Sequence, residues 1–250
     1  MDGKSVIITG ASRGIGEATA RHFASLGAKV MLTARSVSAI EKIVDEIRGA
    51  GGAARAMGCD VSDAAQTQAL VDATVDAFGG VDVLIANAGM LDPVNRIEDL
   101  APADFARVID INVNGVFYGI HAVLPQMKLA GGGTIITIGS GAATSALEGW
   151  PHYCASKAAV HHLNACLHKE EGENGIRALV LSPGTVATNM QEIIRESGVN
   201  PVSRMDWEDH IPPEWPAKAM EWMCTRDADA WLGSVVSLRE DEVRRRVGLI

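Results

Sequence analysis

Apolar residues fall along this chain in two alternating rhythms. Val6, Ile7 and Ile8 form a short apolar run without alternation, as in a strand buried on both faces. From Ile15 to Leu26 the apolar positions recur at helical spacing. The alternation then repeats. Further strands are expected at Ala28 to Ala34, Ala53 to Cys59, Val81 to Asn87, Thr134 to Ser140, Ile176 to Leu181 and Ser234 to Leu238. Between them the pattern predicts helices over Val37 to Ile47, Asp63 to Phe78, Ala101 to Leu129 and Pro151 to Glu171, the third being one long helix with Pro125 near its end. Strands alternating with helices predict an α/β fold: a doubly wound Rossmann-type sheet of about seven mostly parallel strands, helices on both faces. Ligands of such sheets sit beyond the carboxyl ends of the strands.

The first strand end is the most informative. Gly10, Gly14 and Gly16 stand at spacings of four and two between strand and helix. Two glycines alone suit an ordinary β–α turn. Three here favour a diphosphate site, where the backbone approaches phosphate and the free N–H groups of the first helical turn face negative charge.

Composition narrows the rest. At 250 residues, with no linker or repeat, the chain is expected to form one domain spanning 1–250. A net charge of -9 argues against nucleic acid and against an anionic membrane surface. No apolar run reaches membrane-spanning length, and Met1-Asp-Gly-Lys4 carries no signal-peptide pattern, so a cytoplasmic location is expected. The four cysteines, Cys59, Cys154, Cys166 and Cys224, lie far apart without a CxxC, and no metal site is indicated.

The end of the second strand, Thr33-Ala34-Arg35-Ser36, lacks the acid that would bind the ribose 2′-hydroxyl of NAD. Arg35 and Arg13 suit the 2′-phosphate of NADP instead, although either alone could be a solvated surface charge. Asp60 could accept from the adenine amino group or cap the following helix. Further on, Ser140 ends the fifth strand, and Tyr153 and Lys157 lie four residues apart on one helix face. An ammonium beside a phenol is expected to lower the phenol pKa from about 10 toward neutrality, making it a usable general acid or base.

Together Thr9-Gly10-Ala-Ser-Arg-Gly14-Ile-Gly16, Asn87-Ala88-Gly89, Asn112-Val-Asn-Gly115, Ser140, Tyr153-Cys-Ala-Ser-Lys157 and Pro183-Gly184 resemble the short-chain dehydrogenase/reductase family over about residues 4 to 190. The resemblance implies hydride transfer between a nicotinamide and a small-molecule carbonyl or alcohol, in a homodimer or homotetramer built on the two long helices. It implies that Tyr153 moves the proton, Lys157 tunes Tyr153 and holds the nicotinamide ribose, Ser140 binds the substrate oxygen and Asn112 holds a water relaying protons to Lys157. On the residues alone, Asn112 reads as a helix residue bonded to backbone and Thr188 as a helix cap. The expected cofactor contacts are Gly10, Ser12, Arg13, Gly14, Ile15, Gly16, Arg35, Asp60, Val61, Asn87, Ala88, Gly89, Tyr153, Lys157, Pro183, Gly184, Val186 and Thr188.

The substrate is expected to meet Met90, Leu91, Ala142, Ala143, Thr144, Leu147, Trp150, Val186, Met190 and Ile194, a mostly apolar set. This predicts an NADP-dependent carbonyl reductase for a small to medium hydrophobic ketone. Reduction of 3-oxoacyl groups on acyl carrier protein ranks lower, since 168–173 and 205–209 are acidic. A non-catalytic NADP sensor or scaffold is the alternative of another class. Pro201, Pro212, Pro213 and Pro216 suggest a substrate lid at about 186–216. The other tryptophans, Trp207, Trp215, Trp222 and Trp231, are expected to pack, and His152, His161 and His162 to lie on the helix surface or an interface. Where the family commonly ends in Gly-Gly, this chain runs on from Arg239 to Ile250, which reads as a solvated charged tail or a contact across a subunit interface.

Overall fold

A computed structural model describes all 250 residues. Seven parallel strands form one sheet in the order β3-β2-β1-β4-β5-β6-β7. They are β1 (Ser5–Thr9), β2 (Lys29–Ala34), β3 (Ala53–Gly58), β4 (Val83–Ala86), β5 (Gly133–Ile138), β6 (Ile176–Ser182) and β7 (Val235–Ser237). The unbroken apolar run of β1 is explained by burial on both sides. Val6 and Ile8 enter one core layer and Ile7 the other, each fully buried.

The first layer takes the apolar faces of α1 (Gly14–Ser25), α2 (Val37–Gly49) and α8 (Glu214–Met223). The second takes α3 (Ala64–Phe78), α5 (Gly115–Leu129) and α6 (Pro151–Glu171). Strand order reverses between β1 and β4, so a crevice opens at their carboxyl ends.

Three expectations need correction. The long helix over 101–129 is α4 (Pro102–Ile109) and α5 joined by one π turn, Asp110–Asn114, which carries Asn112. A π turn widens the helix by one residue and recurs at functional sites. The carboxyl-terminal segment is not a solvated tail. It folds into α9 (Asp241–Val247), which buries Val243 and lays Arg244 over Trp215 and Arg246 over Trp231. The histidines of α6 divide: His152 is fully buried, His161 faces the end of β5, and only His162 is exposed.

Candidate active site

A cavity of about 840 Å³ follows the carboxyl ends of the strands. At one end, α1 begins at Gly14 with no side-chain cap on its first turn, leaving backbone N–H groups free toward the cavity. The turn is tight. Gly10 and Gly14 have positive φ of 64° and 59°, and a Cβ at Gly16 would lie 2.5 Å from the Gly10 carbonyl oxygen. Asn87 locks this turn, its Nδ2 donating to the carbonyls of Thr9 at 2.8 Å and Gly10 at 3.1 Å. Thr9 Oγ1 in turn accepts from the amides of Asn87 and Ala88. Backbone held this close, with free donors and no side chains in the way, fits a dinucleotide diphosphate.

Arg13, Arg35 and Asp60 line the same end, with both arginines exposed. Asp60 accepts from the amide and hydroxyl of Ser62, which holds its carboxyl below the usual range, and Arg35 adds to that effect. It is not the helix cap: Asp63 caps α3, accepting from Ala65 and Gln66. Val61 packs where Gly115 opens α5, and a Cβ there would lie 2.8 Å from Val61 Cγ2.

Past the middle of the sheet, Ser140, Tyr153 and Lys157 converge on the cavity. Lys157 is buried and its Nζ donates to the Ile138 carbonyl at 2.7 Å, 5.5 Å from the centre of the Tyr153 ring. Burial lowers the lysine to about 8. Burial also pushes the Tyr153 phenol up to about 12, against a pull downward from the Ser140 hydroxyl. The expected lowering by Lys157 is therefore not realised here. With both groups out of water, the cost of charging the phenol outweighs its neighbours, and Tyr153 holds its proton at neutral pH. Ser140 Oγ accepts from the Ala142 amide, leaving its O–H free to donate into the cavity.

Asn112 lies at the edge of this group. Its Oδ1 accepts from the Met90 amide, and its Nδ2 donates to the Met90 carbonyl and Ser156 Oγ. This matches the backbone-bonded reading of the residue. A Cβ on Gly89 would lie 3.3 Å from Asn112 Oδ1 and 3.8 Å from Lys157 Nζ, so Gly89 keeps this corner open.

The remaining predicted positions are divided. Ser12, Ile15, Ala88, Pro183, Gly184, Val186 and Thr188 line the cavity, and Thr188 precedes α7 (Asn189–Ser197) without a side-chain cap bond. Leu91, Ala142, Trp150, Tyr153 and Ile194 form a separate apolar cluster at the far end, with Leu147 and Met190 against it. The Trp150 and Tyr153 rings meet edge to face at 5.6 Å. Ala143 and Thr144 lie outside the cavity lining. Sequence reasoning missed Gln191, Arg239 and the contact of His161 with Ser140. The i+4 spacing from Lys157 to His161 was the available signal for that contact.

A doubly wound sheet with an uncapped glycine turn, a buried Tyr–Lys pair and a half-buried serine beside it defines a dinucleotide-dependent oxidoreductase. A family model described as short chain dehydrogenase matches residues 4–198. The 7alpha-hydroxysteroid dehydrogenase of Escherichia coli (strain K12) is 34% identical over 244 residues, covering 95% of this chain and 93% of that protein. Cyclohexanol dehydrogenase of Acinetobacter sp. (strain SE19) is 32% identical over 237 residues, covering 94% and 92%. Among solved structures, a 7alpha-hydroxysteroid dehydrogenase complexed with NADH and 7-oxo glycochenodeoxycholic acid superposes with a TM-score of 0.86 at 34% identity, covering 95% and 93%. Levodione reductase gives 0.88 at 27% identity, covering 95% and 96%. The chain belongs to the short-chain dehydrogenase family, oxidoreductases of alcohols and ketones that use a nicotinamide dinucleotide.

Proposed function

We propose that this chain is an NADP-dependent reductase of a ketone with an apolar body. The observation that carries the reading is Tyr153, buried beside Ser140 and Lys157 at an apolar chamber. Bound NADPH supplies the hydride. Ser140 donates a hydrogen bond to the substrate carbonyl oxygen, and Tyr153 gives that oxygen its proton. Lys157 donates to the Ile138 carbonyl beside the Tyr153 ring, and its remaining ammonium protons would hold the nicotinamide ribose. Asn112 holds the loop at Met90, and a water beside it replenishes the proton through Lys157.

NADP rather than NAD is supported by the end of β2, where Ala34 and Arg35 stand and no carboxylate does. The hydroxysteroid relative was solved with NADH, so the reading rests on this chain's own residues. Residues 186–216 serve as the lid. They are clipped at their base, where Ile211 exchanges backbone bonds with Thr185 and Ala187. Exposed acidic residues in 168–173 and 205–209 disfavour an acidic carrier protein as donor. Phe117 of α5, 46% exposed and stacked on His121, supports assembly through α5 and α6. No helix is long and apolar enough to cross a membrane, in keeping with a cytoplasmic enzyme.

The test is NADPH oxidation against a panel of cyclic and aliphatic ketones, with Tyr153→Phe as control. The wild type should turn over at least one apolar ketone. The variant should lose two to four decades of rate, on the order expected for general acid catalysis. Wild-type turnover by Tyr153→Phe would remove the phenol from the mechanism.

A further inference from the structure

The cavity also holds a cation that the reaction as written does not use. Arg239 follows β7 and lines the cavity. Its guanidinium lies across the wall between the catalytic serine and the Pro183-Gly184 turn. A Cβ on Gly141 would sit 3.9 Å from Arg239 Nη1, and one on Gly184 would sit 3.9 Å from its Nε.

The other arginines of the carboxyl-terminal segment are all engaged. Arg244 and Arg245 pair with Asp241, and Arg246 pairs with Glu242. Arg239 has no carboxylate within 4.0 Å and donates no side-chain hydrogen bond.

The surroundings favour a ligand acceptor. Trp150 Nε1 and Gln191 Nε2 are buried donors without partners, and both residues line the same cavity. Only two carboxylates line it. Asp60 is occupied by Ser62 near Arg35, and Asp92 is exposed. On the substrate side Lys157, Arg107 and Arg239 therefore outnumber Asp92. Arg107 is already tied to Asp104 at 3.1 Å, which leaves Arg239 as the guanidinium free to bind.

We propose that Arg239 receives an anionic group of the substrate, so that the reducible compound is an oxo acid with an apolar body. The proposal rests on the ketone-reductase reading and narrows its substrate class. A planar guanidinium offers two parallel donors to a carboxylate, which fixes the far end of a substrate while Ser140 and Tyr153 hold its carbonyl. The apolar chamber between these points takes the body of the molecule. The diphosphate of the cofactor has its own donors, the uncapped backbone N–H groups where α1 begins at Gly14.

The probes are 3- and 4-oxocyclohexanecarboxylate and their neutral primary amides, titrated calorimetrically into the NADP-saturated enzyme. The wild type should bind at least one carboxylate about 10- to 100-fold more tightly than its amide, roughly what one charged hydrogen-bonded pair supplies. Arg239→Leu should erase that ratio by weakening the carboxylate, and Arg239→Lys should keep part of it. Arg239 is exposed, and equal thermal midpoints for the three proteins check that folding is unchanged. No preference for either carboxylate in the wild type overturns the proposal, as does equal weakening of acid and amide by Arg239→Leu. Weaker NADP binding by that variant, with the acid-to-amide ratio intact, would assign the guanidinium to the cofactor and also overturn it. Binding is read without turnover, so a carboxylate preference without reduction of any ketone would sink the reductase reading alone.

Discussion

The Ser140 amide donates to Nε2 of His161 at 3.3 Å, tying the end of β5 to the middle of α6. Nε2 must then be bare and the proton must sit on Nδ1, so the ring is neutral. Burial first, and the charge of Lys157 second, lower the pKa of this histidine and keep it in that form. Gly139 is required for the approach, because a Cβ there would run into both His161 and Val180. His161 thus positions Ser140 without touching substrate.

Removing the acceptor should loosen Ser140. His161→Phe is expected to lower kcat/KM about 5- to 50-fold, an unsatisfied buried amide costing roughly 1–3 kcal/mol. The dissociation constant for NADPH should stay near wild type. His161→Gln, whose Oε1 can reach a similar point, should recover most of the rate. Wild-type activity should also fall on the acid side as the imidazole gains a proton and can no longer accept, and the glutamine variant should lack that limb. An unchanged rate in His161→Phe would make the contact incidental.

The titration of Lys157 gives a second expectation. Its ammonium is held down to about 8, while the Tyr153 phenol is held up to about 12. Raising pH through 8 therefore removes the lysine charge while the phenol stays protonated. Reductive kcat/KM should be level up to about one unit below that value, be halved near 8 and fall above it, approaching tenfold per unit. Whatever activity Lys157→Arg retains should show no inflection near 8, since a guanidinium stays charged there. An inflection surviving in that variant would belong to another group.

Much of this was legible in the sequence because it depends on local pattern. The run Val6-Ile7-Ile8 and the three glycines after it mark a buried strand and a phosphate turn without any distant partner. The order of motifs likewise placed Ser140, Tyr153 and Lys157 together. What escaped depends on contacts across the sheet. Whether burial or the lysine sets the Tyr153 pKa is a question of how much water reaches both groups, and spacing does not show that. Arg239 looked like one charge among many in a charged tail. Its place in the cavity follows from β7 lying beside β6, which brings residue 239 next to Gly184. The π turn at Asp110–Asn114 left no mark, because no Pro or Gly stands within it and Asp110 and Asn114 at its ends keep ordinary helical dihedrals.

Two glycines that look alike in the sequence should respond oppositely to alanine. At Gly16 a Cβ would lie 2.5 Å from the Gly10 carbonyl and 2.6 Å from Asn87 Nδ2, both fixed by the turn. Gly16→Ala should weaken NADPH at least tenfold and lower the thermal midpoint. Gly49, the last residue of α2, has open space around it and no positive φ. Gly49→Ala should stabilise by about 0.4–1 kcal/mol through the unfolded chain and leave cofactor affinity alone. Thermal melts and fluorescence titration of the two variants check this, and equal losses in both would mean that the close packing of the turn does not govern cofactor binding.

The choice of cofactor rests on Arg35 and Arg13. Neither has a carboxylate within ion-pair distance, although Arg35 lies near enough to Asp60 to lower its pKa. A ribose 2′-phosphate brings a charge near -2, and each charged hydrogen bond contributes roughly 1.5–3 kcal/mol before solvent exposure is discounted. Both arginines are exposed, so one to three decades of preference for NADPH over NADH is expected, at about 1.4 kcal/mol per decade. Arg35→Ala should weaken NADPH and barely change NADH. Ala34→Asp should narrow or invert the preference, because a carboxylate there repels phosphate and accepts from the ribose hydroxyl. Raising salt should weaken NADPH more than NADH, since the contacts that differ between them are screened. The measurement is a titration of both cofactors against wild type and the two variants at fixed ionic strength. Equal affinity of the wild type for both, or equal weakening of both by Arg35→Ala, would make the two arginines surface charges and leave NAD as the better assignment.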